Sequence, residues 1–266
     1  MNIVILTSEH SPYAPVILER VVRTYGGQAC WVVLIDSPKR SPLKKMAEVL
    51  GQAGVRYTFL KSILFLSIRV HQRMGRYPSL RRICGENSVR IESVSSVRSP
   101  ELISSLKLGK PDLILSVLVE PIIPRTVIDT ASIAAVNFHP APLPKYAGVA
   151  PVFWALSRDE SETGVALHHL TDQIDGGDLI SMRPVPVKRG DSVHSLYLRC
   201  CDAGSELILD AIADCARGVV FHKAQSMADR SYFCSPTKEA YRALVRAGHS
   251  LYAFRDLVAP VRIDEA

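Results

Sequence analysis

The chain has 266 residues, 47% of them hydrophobic and 22% charged, with a formal net charge of +6. It is long enough to bury a sizeable core, and its balance is that of an ordinary soluble globule, which excludes a disordered or fibrous chain. Cysteines at 30, 84, 200, 201, 215 and 234 have neither metal-ligand spacing nor the density of a disulfide scaffold, so free thiols, a cytoplasmic setting and no bound metal are expected.

Residues 2–7, Asn-Ile-Val-Ile-Leu-Thr, turn apolar at once without the basic start of a signal peptide and read as a strand buried on both faces. Apolar residues at Val16, Ile17, Val21, Val22 and Tyr25 put a helix over 13–25, with Gly26 and Gly27 as its stop; Cys30-Trp31-Val32-Val33-Leu34-Ile35 is the second strand. This β-α-β run predicts a parallel sheet with right-handed crossovers. No Gly-x-Gly-x-x-Gly follows the first strand, so the dinucleotide fingerprint is absent.

Residues 37–85 contain one acid, Glu48, against a crowd of bases running from Lys39 and Arg40 to Arg81 and Arg82. Such a run is either a solvated helix face or an attractor for an anionic acceptor. Within it, residues 57–70 are rich in Leu, Ile and Phe but are interrupted by Lys61 and Arg69. They are too short and too charged to span a bilayer, so an amphipathic helix on the core and no membrane partner are expected.

Residues 88–94 alternate like an edge strand, and Ser99, as N-cap, with Pro100 at the first position opens a helix through Leu106. Residues 112–117 carry the strongest strand signal and should lie beside a short apolar strand, Ala134-Ala135-Val136, which Pro140, Pro142 and Pro144 end. Asn137 and His139, two apart where that strand gives way to a loop, share a face. A helix opens at Ala150-Pro151, residues 164–170 form a strand, and 172–177 must be a loop in which Gly176 and Gly177 let Asp175 turn towards His139. His168 and His169, inside that strand, read as satisfied core histidines. A strand over 178–182, a long helix to about Arg217 stopped by Gly218, and a last helix over 238–246 complete the reading, with a catalytic domain over 1–218 and a short extension, 219–266, packing on it.

An amide donates without titrating, an imidazole exchanges protons near neutrality, and a carboxylate orients that imidazole. Asn137, His139 and Asp175 together suit attack of an amine on a carbonyl, the first two stabilising the oxyanion of a tetrahedral intermediate while Asp175, directly or through water, collects the proton. No nucleophilic side chain is required.

The run Asn137-Phe138-His139-Pro140-Ala141-Pro142-Leu143-Pro144-Lys145-Tyr146-Ala147-Gly148, followed by Gly164-Val165 and Asp175-Gly176-Gly177-Asp178, resembles the formyltransferase family, best over residues 105–190. That family includes glycinamide ribonucleotide, methionyl-tRNA and sugar-nucleotide N-formyltransferases. The chain departs from it at Ala141-Pro142, where members usually have Ser-Leu, and at Ala147, commonly arginine. The resemblance implies a mostly parallel, Rossmann-like α/β fold with Asn137, His139 and Asp175 as the catalytic triad. It implies 10-formyltetrahydrofolate as formyl donor, bound by Leu118, Val119, Pro121, Ile122, Ile123, Asp172, Gln173 and Ile174, and an acceptor bordered by Pro144, Tyr146, Gly148 and Trp154. Residues 231–237 are similar to a Tyr-Phe-x-x-Pro-Thr element of one bacterial branch. The tail after Gly218 is shorter than the β-barrel domain of methionyl-tRNA formyltransferases. A small-molecule amine, an amino sugar or a nucleotide-linked amine, is therefore expected ahead of tRNA, with a non-catalytic folate-binding member as the other alternative. Oligomeric state stays open, a homodimer being one option.

Overall fold

The computed structural model describes residues 1–36 and 42–258. Lys39 and Arg40 of the basic run, and residues 259–266 of the extension, lie outside them. In chain order the elements are β1 (Ile3–Ser8), α1 (Ala14–Ala29), β2 (Cys30–Ile35), α2 (Pro42–Ala53), α3 (Val55–Arg73), α4 (Leu80–Glu86), β3 (Arg90–Val94), α5 (Pro100–Gly109), β4 (Leu113–Val117) and α6 (Arg125–Ile128). They continue with β5 (Ala134–His139), β6 (Ala147–Gly148), α7 (Pro151–Ser157), β7 (Glu162–His169), β8 (Leu179–Pro186), α8 (Val193–Ala216), β9 (Tyr232–Phe233), α9 (Lys238–Arg246) and α10 (Phe254–Val258).

Seven strands form one sheet in the order β3-β2-β1-β4-β5-β7-β8, parallel from β3 to β5 and antiparallel where β7 joins β5 and β8 joins β7. Side chains alternate across it, so each inner strand serves two cores. Ile3, Ile5, Val32 and Leu34 pack on the layer holding α1, α8 and the buried face of α3, while Val4, Leu6, Val33 and Ile35 pack on the α5 and α6 side. Strand order reverses between β1 and β4, the place where open sheets form a crevice at the carboxyl ends of their strands.

Two expectations need correction. The first helix does not stop at Gly26-Gly27; it resumes to Ala29 after a break at Gly26, whose φ of 53° only glycine adopts freely. The strand expected to end at Val136 runs on to His139, because β7 supplies an antiparallel partner for residues 136–139. Asn137 and His139 therefore project from a fixed strand rather than from a loop.

Other features follow their local chemistry. Ser99 caps α5 by accepting the Leu102 N–H, and Ser192 with Ser195 makes a capping box at the start of α8. Beyond Gly218 the chain recrosses the sheet end: Lys223 bridges to Leu179, β9 pairs in parallel with β6, and α9 packs against α7.

Candidate active site

At the carboxyl end of β5, Asn137 pairs with His168 of β7 in the antiparallel register, and His139 with Ala166. The loop after β7 returns so that Asp175 sits over them. Its φ of 48° is a left-handed conformation that aspartate tolerates better than most residues, and it turns the carboxylate inward. Asp175 Oδ1 lies 3.6 Å from His139 Nδ1 and 3.5 Å from His168 Nε2, with the Asp175 side chain only 11% exposed. Its Oδ2 accepts the Gly148 N–H at 2.8 Å. The three residues singled out by their chemistry thus converge, and His168, which read as a core histidine, joins them.

Tautomers follow from the partners. Carbonyl oxygens only accept, so His139 Nε2–H donates to Tyr146 O at 3.0 Å and His168 Nδ1–H donates to His169 O at 2.9 Å. When neutral, each ring turns a lone-pair nitrogen towards the carboxylate. His168 Nε2 accepts an Asn137 Nδ2–H at 3.1 Å, which leaves the amide a second N–H. Between His139 Nδ1 and Asp175 Oδ1 both groups are acceptors, and the gap exceeds a direct hydrogen bond. The pair is one proton short of a charge-assisted bond, so a proton released nearby has a place to go.

The electrostatics agree. Burial lowers the pKa of His139, against the opposing pull of Asp175, so the ring stays neutral around pH 7. Burial alone would raise Asp175; the positive charge that His139 carries once protonated, the contact with His168 and the Gly148 N–H outweigh it and hold the carboxyl at about 2.

The remaining residues expected at the site divide. Arg125 Nε approaches Asp172 Oδ2 at 3.4 Å, tying the turn after the 118–123 loop to the one that carries Asp175. Ile122 and Ile174 stay exposed, one on each segment, as do Asp172 and Gln173; Leu118, Val119 and Pro121 are half-buried, and Ile123 points into the core. Tyr146 and Trp154 are engaged with the extension: the Tyr146 ring stacks on Phe233 at 5.2 Å, Trp154 stacks on Phe233 at 4.8 Å, and Trp154 Nε1–H donates to Cys234 O. Pro144 is half-buried in the turn before them. Gly148, with φ of 99°, holds Asp175 through its N–H, and a Cβ there would come within 2.3 Å of Phe233 O.

Sequence reasoning missed a set of groups in the extension. Gln225 Nε2 donates to Asp175 O at 3.0 Å and to Gly177 O at 2.6 Å, and Arg230 donates to Ile174 O at 2.6 Å. Tyr146 N–H donates to Ser231 Oγ at 2.9 Å. Residues 225–234 therefore strap down both backbone segments that meet at Asp175. Nothing local marks Gln225 or Arg230, since their partners lie some fifty residues away in sequence.

The chain is thus a Rossmann-like α/β protein that holds a buried carboxylate between two imidazoles, with an amide beside them, at the carboxyl edge of a mostly parallel sheet. The family model described as "Formyl transferase" matches residues 68–212, more than half of the chain, and the chain belongs to that family. Among curated relatives, it is 28% identical to a methionyl-tRNA formyltransferase of Listeria innocua over 148 residues, 56% of this chain and 47% of that one. It is also 28% identical to one of Citrifermentans bemidjiense over 162 residues, 61% and 51% of the two chains. The chain spans about half the length of the curated relatives it matches.

Among solved structures it is similar to the N-formyltransferase of Helicobacter canadensis in complex with folinic acid and dTDP-3-aminofucose, with a TM-score of 0.60 at 17% identity, covering 93% of this chain and 80% of that one. Rv3404c of Mycobacterium tuberculosis, described as a likely sugar N-formyltransferase, gives a TM-score of 0.57 at 18% identity, covering 92% and 86%. At these identities the likeness is one of fold.

Proposed function

We propose that the chain is an N-formyltransferase moving a formyl group from 10-formyltetrahydrofolate to the primary amine of a small molecule, an amino sugar or a nucleotide-linked amine. The observation that carries this reading is the Asp175 carboxylate set between His139 Nδ1 and His168 Nε2, with the Asn137 amide on His168 Nε2. The donor supplies an activated formyl carbon; the chain's own groups manage charge. The free Asn137 N–H is set to receive the developing oxyanion, and His139 Nδ1 to take the proton of the attacking amine, with Asp175 Oδ1 stabilising the imidazolium that results. The same proton, passed on from Nδ1, allows the donor's nitrogen to leave.

For the donor, exposed Ile122 and Ile174 on the two tied segments suit a flat, partly apolar group, with Leu118, Val119, Pro121, Asp172 and Gln173 about them. The folinic acid in the Helicobacter canadensis complex supports this assignment, and its dTDP-3-aminofucose supports a sugar-nucleotide amine as acceptor. A cleft of about 270 Å³ opens at the carboxyl end of β1, on the same sheet edge as His139, and His10, Arg69 and Arg81 are among its walls. Arg81 also pairs with Glu9 there. Excess base in such a cleft favours an anionic acceptor. The name of the curated relatives keeps methionyl-tRNA as the second reading, over only half of their length.

The test is a mass-spectrometric screen of the purified protein with 10-formyltetrahydrofolate and a panel of nucleotide-linked amino sugars, glycinamide ribonucleotide and charged initiator tRNA. A gain of one formyl group on a sugar-nucleotide amine, lost in Asp175→Asn, is the expected result. A gain on tRNA alone would replace it with the second reading.

A further inference from the structure

α3 is apolar on two sides. Tyr57, Leu64 and Ile68 are buried against the core. On the opposite side Val55, Phe59 and Leu66 are 64–73% exposed and Val70 is 45% exposed. At about 100° per residue these four fall within roughly 60° of one another around the helix axis, so they make one continuous ridge. Met74, which caps the helix, and Met46 and Leu50 of α2 are exposed as well. A set of large apolar side chains this contiguous is an interaction surface by default.

Charge narrows the partner. α3 contains no acid, and Arg56, Arg69 and Arg73 are exposed on or beside the ridge. Among the described residues, no salt bridge engages those three. A second copy of the chain would set base against base in either the parallel or the antiparallel arrangement. A surface that is apolar within, anionic at its face and indifferent to shape fits better: helices with Phe and Leu on one face and bases at its margins lie in the headgroup boundary of anionic bilayers.

We infer that the α3 ridge docks the protein on an anionic membrane surface, with Phe59, Leu66 and Val70 entering the headgroup layer and Arg56 and Arg73 facing the lipid charges. This departs from the expectation of no membrane partner; among the described residues no helix is long and apolar enough to cross a membrane, and the inference requires none. It stands independently of the proposed chemistry.

The experiment is flotation of the full chain with vesicles of phosphatidylcholine alone and of phosphatidylcholine with 30% phosphatidylglycerol. Partitioning at least tenfold stronger onto the anionic vesicles is expected, weakening as salt rises. Phe59→Asp with Leu66→Asp should abolish it while leaving the circular dichroism spectrum unchanged; Leu66→Ser serves if the double variant misfolds. Arg56→Gln with Arg73→Gln should reduce it by roughly fivefold per charge removed. Equal partitioning onto both vesicles, none onto either, or full binding by the ridge variants would overturn the inference. So would a dimer in light scattering that Phe59→Asp splits, since the ridge would then be a self-interface.

Discussion

The chemistry of the site turns on where two carbonyls send two protons. Tyr146 O and His169 O each fix one N–H of an imidazole, and the nitrogens left over face the same carboxylate. Replacing His139 by alanine should slow formyl transfer by roughly 10²- to 10⁴-fold while folate affinity, measured by calorimetry, changes little; undiminished turnover would remove His139 from the mechanism. Because burial lowers the His139 pKa, the acidic limb of kcat/KM should fall below pH 6.5, its usual value, rather than above. Asp175 behaves likewise in stability. Its folded pKa is depressed from 3.8 to about 2, so its contribution, about 2 kcal/mol, is complete above pH 3.8 and is lost as pH falls towards 2. Acid unfolding of Asp175→Asn should accordingly be less steep between those pH values. That Asn137, His139 and Asp175 come together was legible in the sequence because strand parity and a glycine turn speak for it locally. His168 was not, because its role depends on an antiparallel register with Asn137 that composition does not reveal.

At the scale of elements, the site is assembled from β5, the turn before α7, the loop after β7, and a strap from the extension. The strap holds carbonyls of the Asp175 loop through Gln225 and Arg230 and holds the Tyr146 turn through Ser231. Gln225→Ala should lower kcat more than it raises KM, with Gln225→Glu restoring little, because a carboxylate cannot donate to the carbonyls of Asp175 and Gly177. Gly148→Ala should be worse: φ of 99° and the nearby Phe233 carbonyl forbid the methyl group, so both the Asp175 contact and the β6–β9 pairing would be disturbed. Loss of turnover together with a reduced melting temperature is the expected signature. The long helix α8 and the parallel strands were readable from periodicity and caps. The short α6, the two-residue β6 and β9, and the outward face of α3 were not, since each is defined by what lies across from it.

Over the whole molecule, the parallel half of the sheet supplies the scaffold and the antiparallel half brings His168 and the Asp175 loop across to it. The division expected at residue 218 would fall just past the end of α8, yet the chain beyond it returns to the site. A chain ending at 218 should retain much of its helical circular dichroism and lose turnover, because the Asp175 loop would lack its donors from the strap. Full activity in that truncated chain would show the strap to be dispensable.

The pairing of β6 with β9 joins segments 85 residues apart, and Gly148 of β6 donates to Asp175. On the ribosome the N-terminal strands can pair as they emerge, but the Asp175 loop gains its last donors only when residues 225–233 have cleared the exit tunnel. A nascent chain that has not yet exposed residue 225 would therefore hold the Asp175 loop without its donors from the strap, and the geometry around that carboxylate would be set after the sheet itself.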